Sequence, residues 1–250
     1  MQIEFQTSVG RKRKNNQDTV GVYKNKKNIT LAIVADGMGG HQAGDTASYL
    51  AVTGLGEVWE ETMLTQKDDV CDWLVDHIQE ENARIFDQGS INPEMFGMGT
   101  TIVSTVILED ELILAHVGDS RAYIVRDEEI KQLTDDHSLV NELIKTGEIS
   151  AEMAQNHPKK NILVRSIGVP GEVEVDISLI SFKPQDMILL CSDGLTNMLT
   201  DDEIKEVMLT DSLLKNRVEK LIELANIAGG TDNITVLIID FDDDLQEDTP

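Results

Sequence analysis

The segment Ile29-Thr30-Leu31-Ala32-Ile33-Val34-Ala35 runs directly into Asp36-Gly37-Met38-Gly39-Gly40-His41. Its first seven residues are mostly apolar and rich in Ile, Leu and Val, a composition typical of a buried strand. The Asp-Gly step then marks a turn that ends the strand. The segment therefore predicts a buried strand with a carboxylate at its end.

Three further motifs place an aspartate where a strand candidate starts or ends. They are His116-Val117-Gly118-Asp119-Ser120-Arg121, Leu189-Leu190-Cys191-Ser192-Asp193-Gly194-Leu195 and Gly229-Gly230-Thr231-Asp232-Asn233-Ile234. Each aspartate taken alone is explained by a turn or a helix cap. Together the motifs favour a different interpretation, because a sandwich gathers several strand ends at one edge and can bring their carboxylates together.

Such a cluster of carboxylates predicts a cation site. Neighbouring carboxylates repel and raise one another's pKa unless cations neutralise them. Carboxylate oxygens, a backbone carbonyl and water suit Mg²⁺ or Mn²⁺ rather than Zn²⁺ or Cu²⁺. The glycine at position 37 fits this interpretation, since it lets the backbone carbonyl approach a metal with no side chain in the way.

The order of strand and helix candidates predicts an α+β fold. The strand candidates, rich in Ile, Val, Leu or Thr, are Ile3–Val9, Thr19–Tyr23, Ile29–Ala35, Thr100–Leu108, Leu112–Val117, Ala122–Arg126, Val175–Phe182, Met187–Cys191 and Ile234–Phe241. Helical periodicity covers Ala43–Glu60, Lys67–Gln88, Leu139–Thr146, Asp202–Leu209 and Leu213–Ala228. Adjacent strand candidates at 100–126 and 175–191 favour antiparallel hairpins, with helices packed outside the sheets.

Composition and charge limit the classes to which the chain can belong. Its 250 residues can bury a sizeable core, and 40% hydrophobic with 27% charged residues disfavours the disordered and membrane classes. No apolar run approaches the roughly 20 residues of a membrane helix, and Met1–Phe5 lacks the features of a signal peptide. We therefore expect a cytoplasmic protein without membrane insertion. The formal net charge of −25 disfavours nucleic acid as a partner.

The two cysteines, Cys71 and Cys191, do not predict a disulfide framework or a zinc-thiolate site. Cys191 ends the apolar run Met187–Cys191, where a buried free thiol is expected. A cysteine nucleophile is therefore a poor interpretation of this chain.

A basic segment near the start, Gly10-Arg11-Lys12-Arg13-Lys14-Asn15-Asn16-Gln17-Asp18, stands out in an acidic chain. One interpretation is an ordinary basic surface loop. The other is an arginine beside a cation site, which would hold phosphoryl oxygens that the metals do not bind.

Six motifs appear in a characteristic order: Arg13-x-x-Asn16-Gln17-Asp18, Asp36-Gly37-Met38-Gly39-Gly40-His41, Gly99-Thr100-Thr101, Gly118-Asp119-Ser120-Arg121, Ser192-Asp193-Gly194-Leu195 and Asp232-Asn233. This series resembles the metal-dependent protein phosphatase family (PPM, or protein phosphatase 2C), and most of all its short bacterial members. The resemblance implies one catalytic domain over residues 1–241, and the acidic composition of 242–250 predicts a flexible tail. It implies a central β-sandwich of two antiparallel sheets flanked on both sides by helices (α-β-β-α).

The resemblance also implies a dinuclear centre of two Mn²⁺ or Mg²⁺ ions. Asp36 is expected to bridge the two ions, and the carbonyl of Gly37 is expected to bind one of them. Asp193 and Asp232 are expected to bind the other. The resemblance does not distinguish the two metals.

Further matching residues have implied roles around this centre. Asp18 is expected to act through a metal-bound water, and Arg13 is expected to hold the substrate phosphate. Asp119, with Asp193, is similar to residues that bind a third, weaker ion in bacterial relatives. The stretch at about 137–165 is similar to the flap that influences substrate choice.

The implied activity is hydrolysis of phosphoserine and phosphothreonine on proteins. A water that bridges both cations has its pKa lowered toward about 7 and can attack phosphorus in line. Arg13 and the metals would stabilise the equatorial oxygens, which makes Arg13, Asp36 and Asp193 the expected catalytic residues.

The implied partners are phosphorylated proteins, among them a cognate serine/threonine kinase and its substrates, and nothing in the sequence demands more than a monomer. The alternative is a pseudo-phosphatase scaffold that binds phosphoproteins without turnover. The intact set of Arg13, Asp36, Asp193 and Asp232 favours the enzyme. A calcium-buffering protein would cluster its ligands in loops at D-x-D-x-D spacing, and the run with this spacing, Asp240–Asp244, instead begins inside the last strand candidate.

Two positions depart from relatives outside bacteria. Gln17 stands where a glutamate is common, and Met38 stands where a histidine has been assigned as the acid that protonates the leaving alkoxide. That role passes here to a metal-bound water or to another group, for which His41 is a candidate.

Overall fold

The computed structural model describes residues 1–40, 43–155 and 157–242. Its strands are β1 (Gln2–Ser8), β2 (Asp18–Lys24), β3 (Thr30–Met38), β4 (Gly99–Thr100), β5 (Ile102–Ile107), β6 (Glu111–Val117), β7 (Arg121–Arg126), β8 (Glu129–Gln132), β9 (Asp176–Ser181), β10 (Met187–Cys191) and β11 (Ile234–Asp240). Its helices are α1 (Ala43–Glu61), α2 (Lys67–Ile91), α3 (Leu139–Lys145), α4 (Ala151–Gln155), α5 (Asp193–Thr196), α6 (Asp201–Met208) and α7 (Leu214–Ile227), with a 3₁₀ turn at Pro93–Met95.

The strands form two antiparallel sheets. The first sheet has the order β1-β11-β10-β7-β8, and the second has the order β2-β3-β5-β6-β9, with β4 paired to the end of β3. The two sheets pack face to face, and helices cover both outer faces. The predicted α+β sandwich is confirmed.

The strand β3 shows why a buried strand here is apolar on both faces. Ala32 and Val34 point into the layer between the sheets, where they join Leu190 and Leu237 of the first sheet. The alternate residues of β3 point outward and pack under α1 and α2. Because successive side chains of a strand face opposite ways, a sheet covered on both sides needs apolar residues at every position.

The first sheet is covered in the same way by the C-terminal helices. Ile204 of α6 and Leu221 of α7 are buried against Leu189 and Val236. The helix α7 ends just before Gly229-Gly230, as predicted; the Gly230 amide donates to the Ala225 carbonyl at 3.0 Å, and Gly230 has a φ of +54°.

Two expectations about strand pairing are wrong. The predicted block at 175–191 is not a hairpin, because β9 pairs with β6 while β10 lies between β7 and β11 in the other sheet. In the block at 100–126, β5 and β6 do form a hairpin, but β7 crosses to the other sheet. A short connection between sheets and a hairpin turn have the same local sequence pattern, so only the packing of the sandwich separates them.

The predicted strand Thr100–Leu108 is divided at Thr101, and the short elements β8, α4 and α5 were not predicted. Among the described residues, none of the helices combines the length and the apolar composition that crossing a membrane requires. The segment at 137–165 contains α3 and α4, and its two ends are joined by the bridge between Ser138 and Leu163. We call this segment the flap.

Candidate metal centre

The first two aspartates meet because β2 and β3 are antiparallel. Asp18 begins β2 and Asp36 lies near the end of β3, and the two residues are cross-strand partners. Asp18 is buried, and its Oδ2 accepts hydrogen bonds of 2.7 Å from both Ser192 Oγ and Thr235 Oγ1. Its Oδ1 is also buried but has no hydrogen-bond partner within the described residues. A buried carboxylate oxygen without a donor is suited to a cation.

The second pair of aspartates comes from the other sheet. Asp193 follows β10 as the first residue of α5, and Asp232 precedes β11, so antiparallel pairing of β10 and β11 brings them together. Asp193 Oδ2 accepts from Asn197 Nδ2 at 2.9 Å, whereas its buried Oδ1 lacks a partner in the part of the chain that the structure describes. Asp193 lies close enough to Asp36 for its charge to raise the pKa of the Asp36 carboxyl.

The carboxylates strongly perturb one another. Burial, and then the charges of Asp193 and Asp232, raise the pKa of Asp18 to about 7 despite its two hydroxyl donors. Burial, followed by the charge of Asp18, holds the pKa of Asp36 well above its usual range. The pKa of Asp193 is raised by burial and then by Asp232. At neutral pH this cluster is unfavourable without cations, and its all-oxygen donors fit hard divalent ions such as Mn²⁺ or Mg²⁺.

Asp119 approaches from the turn between β6 and β7. Burial, then Asp193 and Asp136, raise the pKa of the Asp119 carboxyl to about 8. The preceding residue, Gly118, has a φ of +110°, and a Cβ there would lie 2.6 Å from Thr101 Cγ2. The sequence fixes this turn because only glycine fits both the backbone conformation and the contact.

Glycine is required at position 37 for a packing reason that was not predicted from the sequence. A Cβ at this position would lie 2.0 Å from the carbonyl oxygen of Gly44 in α1 and 2.6 Å from that of Gln17. The glycine is therefore required where the end of β3 packs on the start of α1, whether or not its carbonyl binds a metal.

Arg13 is held at the entrance of the site by the loop that contains it. The Arg11 amide donates to the Gly230 carbonyl at 2.8 Å, and the buried Asn233 donates to the Asn15 carbonyl and accepts from the Gln17 amide. Arg13 Nη2 donates to Asp232 Oδ2 at 2.6 Å. The arginine thus lies beside a proposed metal ligand, as expected for a residue that holds phosphoryl oxygens next to a cation site.

The structure brings the sequence-predicted residues together. One cavity of about 330 Å³ is lined by Arg13, Asp36, Gly37, Asp119, Asp193 and Asp232. Asp18 does not line this cavity; it is buried and reaches the centre through its pairing with Asp36.

The residues that position the aspartates were not predicted from the sequence. Thr101 Oγ1 accepts from the Asp36 amide at 2.9 Å and hydrogen-bonds Ser120 Oγ at 2.7 Å, so it connects the Asp36 and Asp119 turns. Ser192 and Thr235 hold Asp18. These four hydroxyl residues lie next to or within the quoted motifs. This proximity is the sequence signal that could have identified them.

A separate group of His116, His137 and Asp176 also has ligand atoms within 4.8 Å of one another. His137 Nδ1 accepts the Gly118 amide hydrogen at 3.1 Å, which favours the tautomer with its proton on Nε2, and Nε2 lies 3.3 Å from both Asp176 Oδ2 and Arg165 Nη1. A metal on Nε2 would require an imidazolate, which is strongly unfavourable. Arg165 Nη1 also donates to Asp176 Oδ1 at 2.9 Å. The group therefore anchors the base of the flap and is not a metal site.

Other candidates are excluded or lie outside the description. Cys191 is a free, buried thiol, and burial raises its pKa to about 12, so it is no nucleophile. His41, the candidate acid, lies outside the described residues.

Comparison with known proteins identifies the family. A family model described as protein phosphatase 2C matches residues 6–226. The serine/threonine phosphatase stp of Listeria monocytogenes serotype 4b (strain F2365) is 47% identical over 243 residues, covering 97% of this chain and 96% of the relative. The chain belongs to the protein phosphatase 2C family. The resemblance drawn from the six motifs is confirmed.

Solved structures of phosphatase 2C relatives share the fold. The serine/threonine phosphatase of S. agalactiae matches with a TM-score of 0.94 at 44% identity, covering 96% of this chain and 99% of that chain. The catalytic domain of the phosphatase PstP, described in complex with two manganese ions, matches with a TM-score of 0.84 at 33% identity, covering 97% and 98%. A manganese complex in a relative agrees with the oxygen donors of this phosphatase 2C site.

Proposed function

We propose that this chain is a metal-dependent protein phosphatase that hydrolyses phosphoserine and phosphothreonine monoesters on proteins. The observation that carries the proposal is the convergence of Arg13 with Asp36, Asp119, Asp193 and Asp232 on one cavity. A cation site beside an arginine is what a phosphoryl substrate needs, because both neutralise phosphate oxygens. The names of the relatives, and the family to which the chain belongs, support the same activity.

The chain offers ligands for two Mn²⁺ or Mg²⁺ ions. Asp36 would bind both ions and the Gly37 carbonyl one of them, while Asp193 and Asp232 would hold the second. Unpartnered carboxylate oxygens in buried positions support this assignment. Asp18 would act through a coordinated water. Asp119, together with Asp193, would hold a third, weaker ion.

When bound, the cations lower the pKa of a coordinated water toward about 7 and so supply a nucleophile at neutral pH. Arg13 holds the phosphate: one hydrogen bond of its guanidinium goes to Asp232, which leaves other N–H groups for phosphate oxygens. Thr101 and Ser120 keep the Asp36 and Asp119 turns in register. The catalytic residues in this proposal are Arg13, Asp36 and Asp193.

The proposal extends to the cellular role. The chain acts in the cytoplasm as a monomer, on phosphorylated proteins that include a cognate serine/threonine kinase and its substrates. The net charge of −25 supports proteins rather than nucleic acids as partners. The catalytic domain spans 1–241 and includes the flap.

The test compares wild type with Asp193→Ala on a phosphothreonine peptide and on p-nitrophenyl phosphate, each with EDTA, Mn²⁺, Mg²⁺ or Ca²⁺. We expect turnover that requires Mn²⁺ or Mg²⁺ and falls by about a hundredfold or more in the variant. Asp69→Ala, in the first turn of α2, is the control for loss of one acidic residue. A folded wild type that binds phosphoprotein but hydrolyses neither substrate with any metal would favour the pseudo-phosphatase scaffold.

A further inference from the structure

A groove of about 640 Å³ adjoins the metal centre. It shares Asp119, Asn161 and Asp193 with the smaller cavity that contains Arg13. The flap forms one side of the groove, and residues 196–202 of α5, α6 and their connection form the other. We call it the flap groove. A polypeptide whose phosphoresidue reaches Arg13 has a continuous path into it.

The flap side of the groove carries an apolar strip beside polar residues such as Asn141 and Lys160. Val140 and Ile144 are four residues apart on α3, which places them on one face of the helix, and both line the groove together with Ala154 of α4. None of the α3 residues is buried. Across the groove, Met198 and Leu199 add further apolar surface. Val140 and Ile144 face the groove but are not fully buried. Their apolar surface is therefore available to a bound partner.

The opposite side of the groove is acidic. Asp201 and Asp202 lie in the first turn of α6, where the helix dipole favours carboxylates. An exposed ion pair offsets the charge of Asp202 only in part. Asp201 forms no ion pair within the described residues, and Asp202 is 87% exposed with Lys205 at 3.5 Å. Lys160 lines the same groove from the flap side.

The floor of the groove contributes no free charge. Arg121 binds Asp136 through Nε at 2.9 Å and through Nη2 at 2.7 Å, a bidentate pair that neutralises both groups. Cations at the metal centre would neutralise Asp119 and Asp193. The acidic pair on α6 and the net charge of −25 then disfavour an acidic occupant.

We propose that the flap groove holds the polypeptide flank of the phosphoresidue and favours a flank with a large apolar and a basic side chain over an acidic flank. This inference rests on the proposed phosphatase function and specifies its substrate class. The flap groove is continuous with the cavity that Arg13 lines, so a polypeptide bound in the groove extends to the metal centre. The occupant is therefore the substrate.

The experiment uses phosphothreonine peptides of equal length in which each flanking position is, in turn, Leu, Ser, Arg or Glu. The full chain is assayed with Mn²⁺, and kcat/KM is compared between peptides. We expect at least one position where Leu exceeds Ser by about tenfold. We expect another position where Arg exceeds Glu by about fivefold, the range of an exposed ion pair.

Two variants test whether the groove causes these preferences. Val140→Ser combined with Ile144→Ser should bring the Leu/Ser ratio close to one, and Asp202→Lys should invert the Arg/Glu ratio. Each ratio compares two peptides with the same variant, so an overall loss of activity cancels, and hydrolysis of p-nitrophenyl phosphate reports that loss separately. The matched controls are Ile91→Ser, at an exposed residue outside the groove, and Asp68→Lys, in the first turn of α2.

The outcomes separate the two proposals. Ratios that change only in the groove variants support the inference. Peptide hydrolysis without any flank preference, or preferences that persist in the groove variants, overturns it and leaves the phosphatase in place. Failure to hydrolyse any peptide or p-nitrophenyl phosphate with any metal overturns the proposed function and, with it, the inference.

Discussion

The metal centre and the flap groove adjoin each other but are built in different ways. The aspartates of the centre lie at the ends of paired strands. Ser192 and Thr235 hold the buried carboxyl of Asp18, and Thr101 accepts a hydrogen bond from the Asp36 amide. The flap side of the groove is a short helix with no buried residue. Chemistry that depends on distances is placed on the rigid part of the molecule. Selection of the substrate flank is placed where packing constrains the chain least.

The largest effect is expected from a change in the rigid region. Asp36→Asn removes the carboxylate that we propose binds both ions and should lower kcat by about 10³-fold with either Mn²⁺ or Mg²⁺. The metal-free variant should unfold at a higher temperature than metal-free wild type, because the substitution removes a buried charge that its neighbours repel. Asp69→Asn is the control. A variant with normal kcat would show that Asp36 is not a metal ligand, which would remove the contrast between the two regions.

The next effect concerns the residue at the entrance of the site. Arg13→Ala should lower kcat/KM by about 10- to 100-fold, the range for loss of charge-assisted hydrogen bonds to phosphate. Arg13→Lys should restore part of the loss, because lysine keeps the charge but not the bidentate geometry. Steady-state kinetics on a phosphothreonine peptide measures both. If the Ala and Lys variants are both as active as wild type, the ion pair between Arg13 and Asp232 has a purely structural role.

The pH dependence of stability should also distinguish the two regions. Asp18 has its pKa raised from 3.8 to about 7, so between these values the folded chain binds more protons than the unfolded chain. The free energy of unfolding of the metal-free protein should therefore fall as pH rises from about 4 to 7, by up to about 4 kcal/mol for this group. Urea unfolding in EDTA at several pH values measures this. Asp18→Asn should reduce the dependence without abolishing it, because the pKa values of Asp36, Asp119 and Asp193 are raised as well. Asp202→Asn, in the exposed groove wall, should leave it unchanged.

The sequence was sufficient to predict that the aspartates converge, but it was not sufficient to predict how the strands connect. Asp36, Asp119, Asp193 and Asp232 could be predicted to converge because a carboxylate at the end of an apolar strand is visible locally, and a sandwich gathers strand ends. The hairpin predicted at 175–191 was wrong because the turn before β10 does not encode which sheet the next strand joins. Long-range packing makes that choice.

The residues that support the site were missed for a related reason. Hydroxyl residues such as Thr101 and Thr235 are ordinary in strands, and their role depends on a partner distant in sequence: Thr235 and Asp18 are separated by 217 positions. His137 is similar, since its function as a flap anchor follows from contacts with Gly118 and Asp176. Sequence patterns report the ligands of a site, whereas the hydrogen bonds that position those ligands are set by the fold.

The smallest effect is expected at the base of the flap, where the two regions are joined. Asp176→Asn weakens the contacts with Arg165 and His137, both partly or fully buried, and should speed amide hydrogen exchange in 138–164 by a few-fold. Exchange in β2 and β3 should not change, and the melting temperature should move by less than about 2 °C, since the ion pair is partly exposed. Glu174→Gln is the matched control, because it removes the more exposed carboxylate bound to the same arginine, at 2.7 Å. If β2 and β3 lose protection together with the flap, the metal centre and the flap open as one unit, and the separation of rigid chemistry from adaptable recognition does not hold for this molecule.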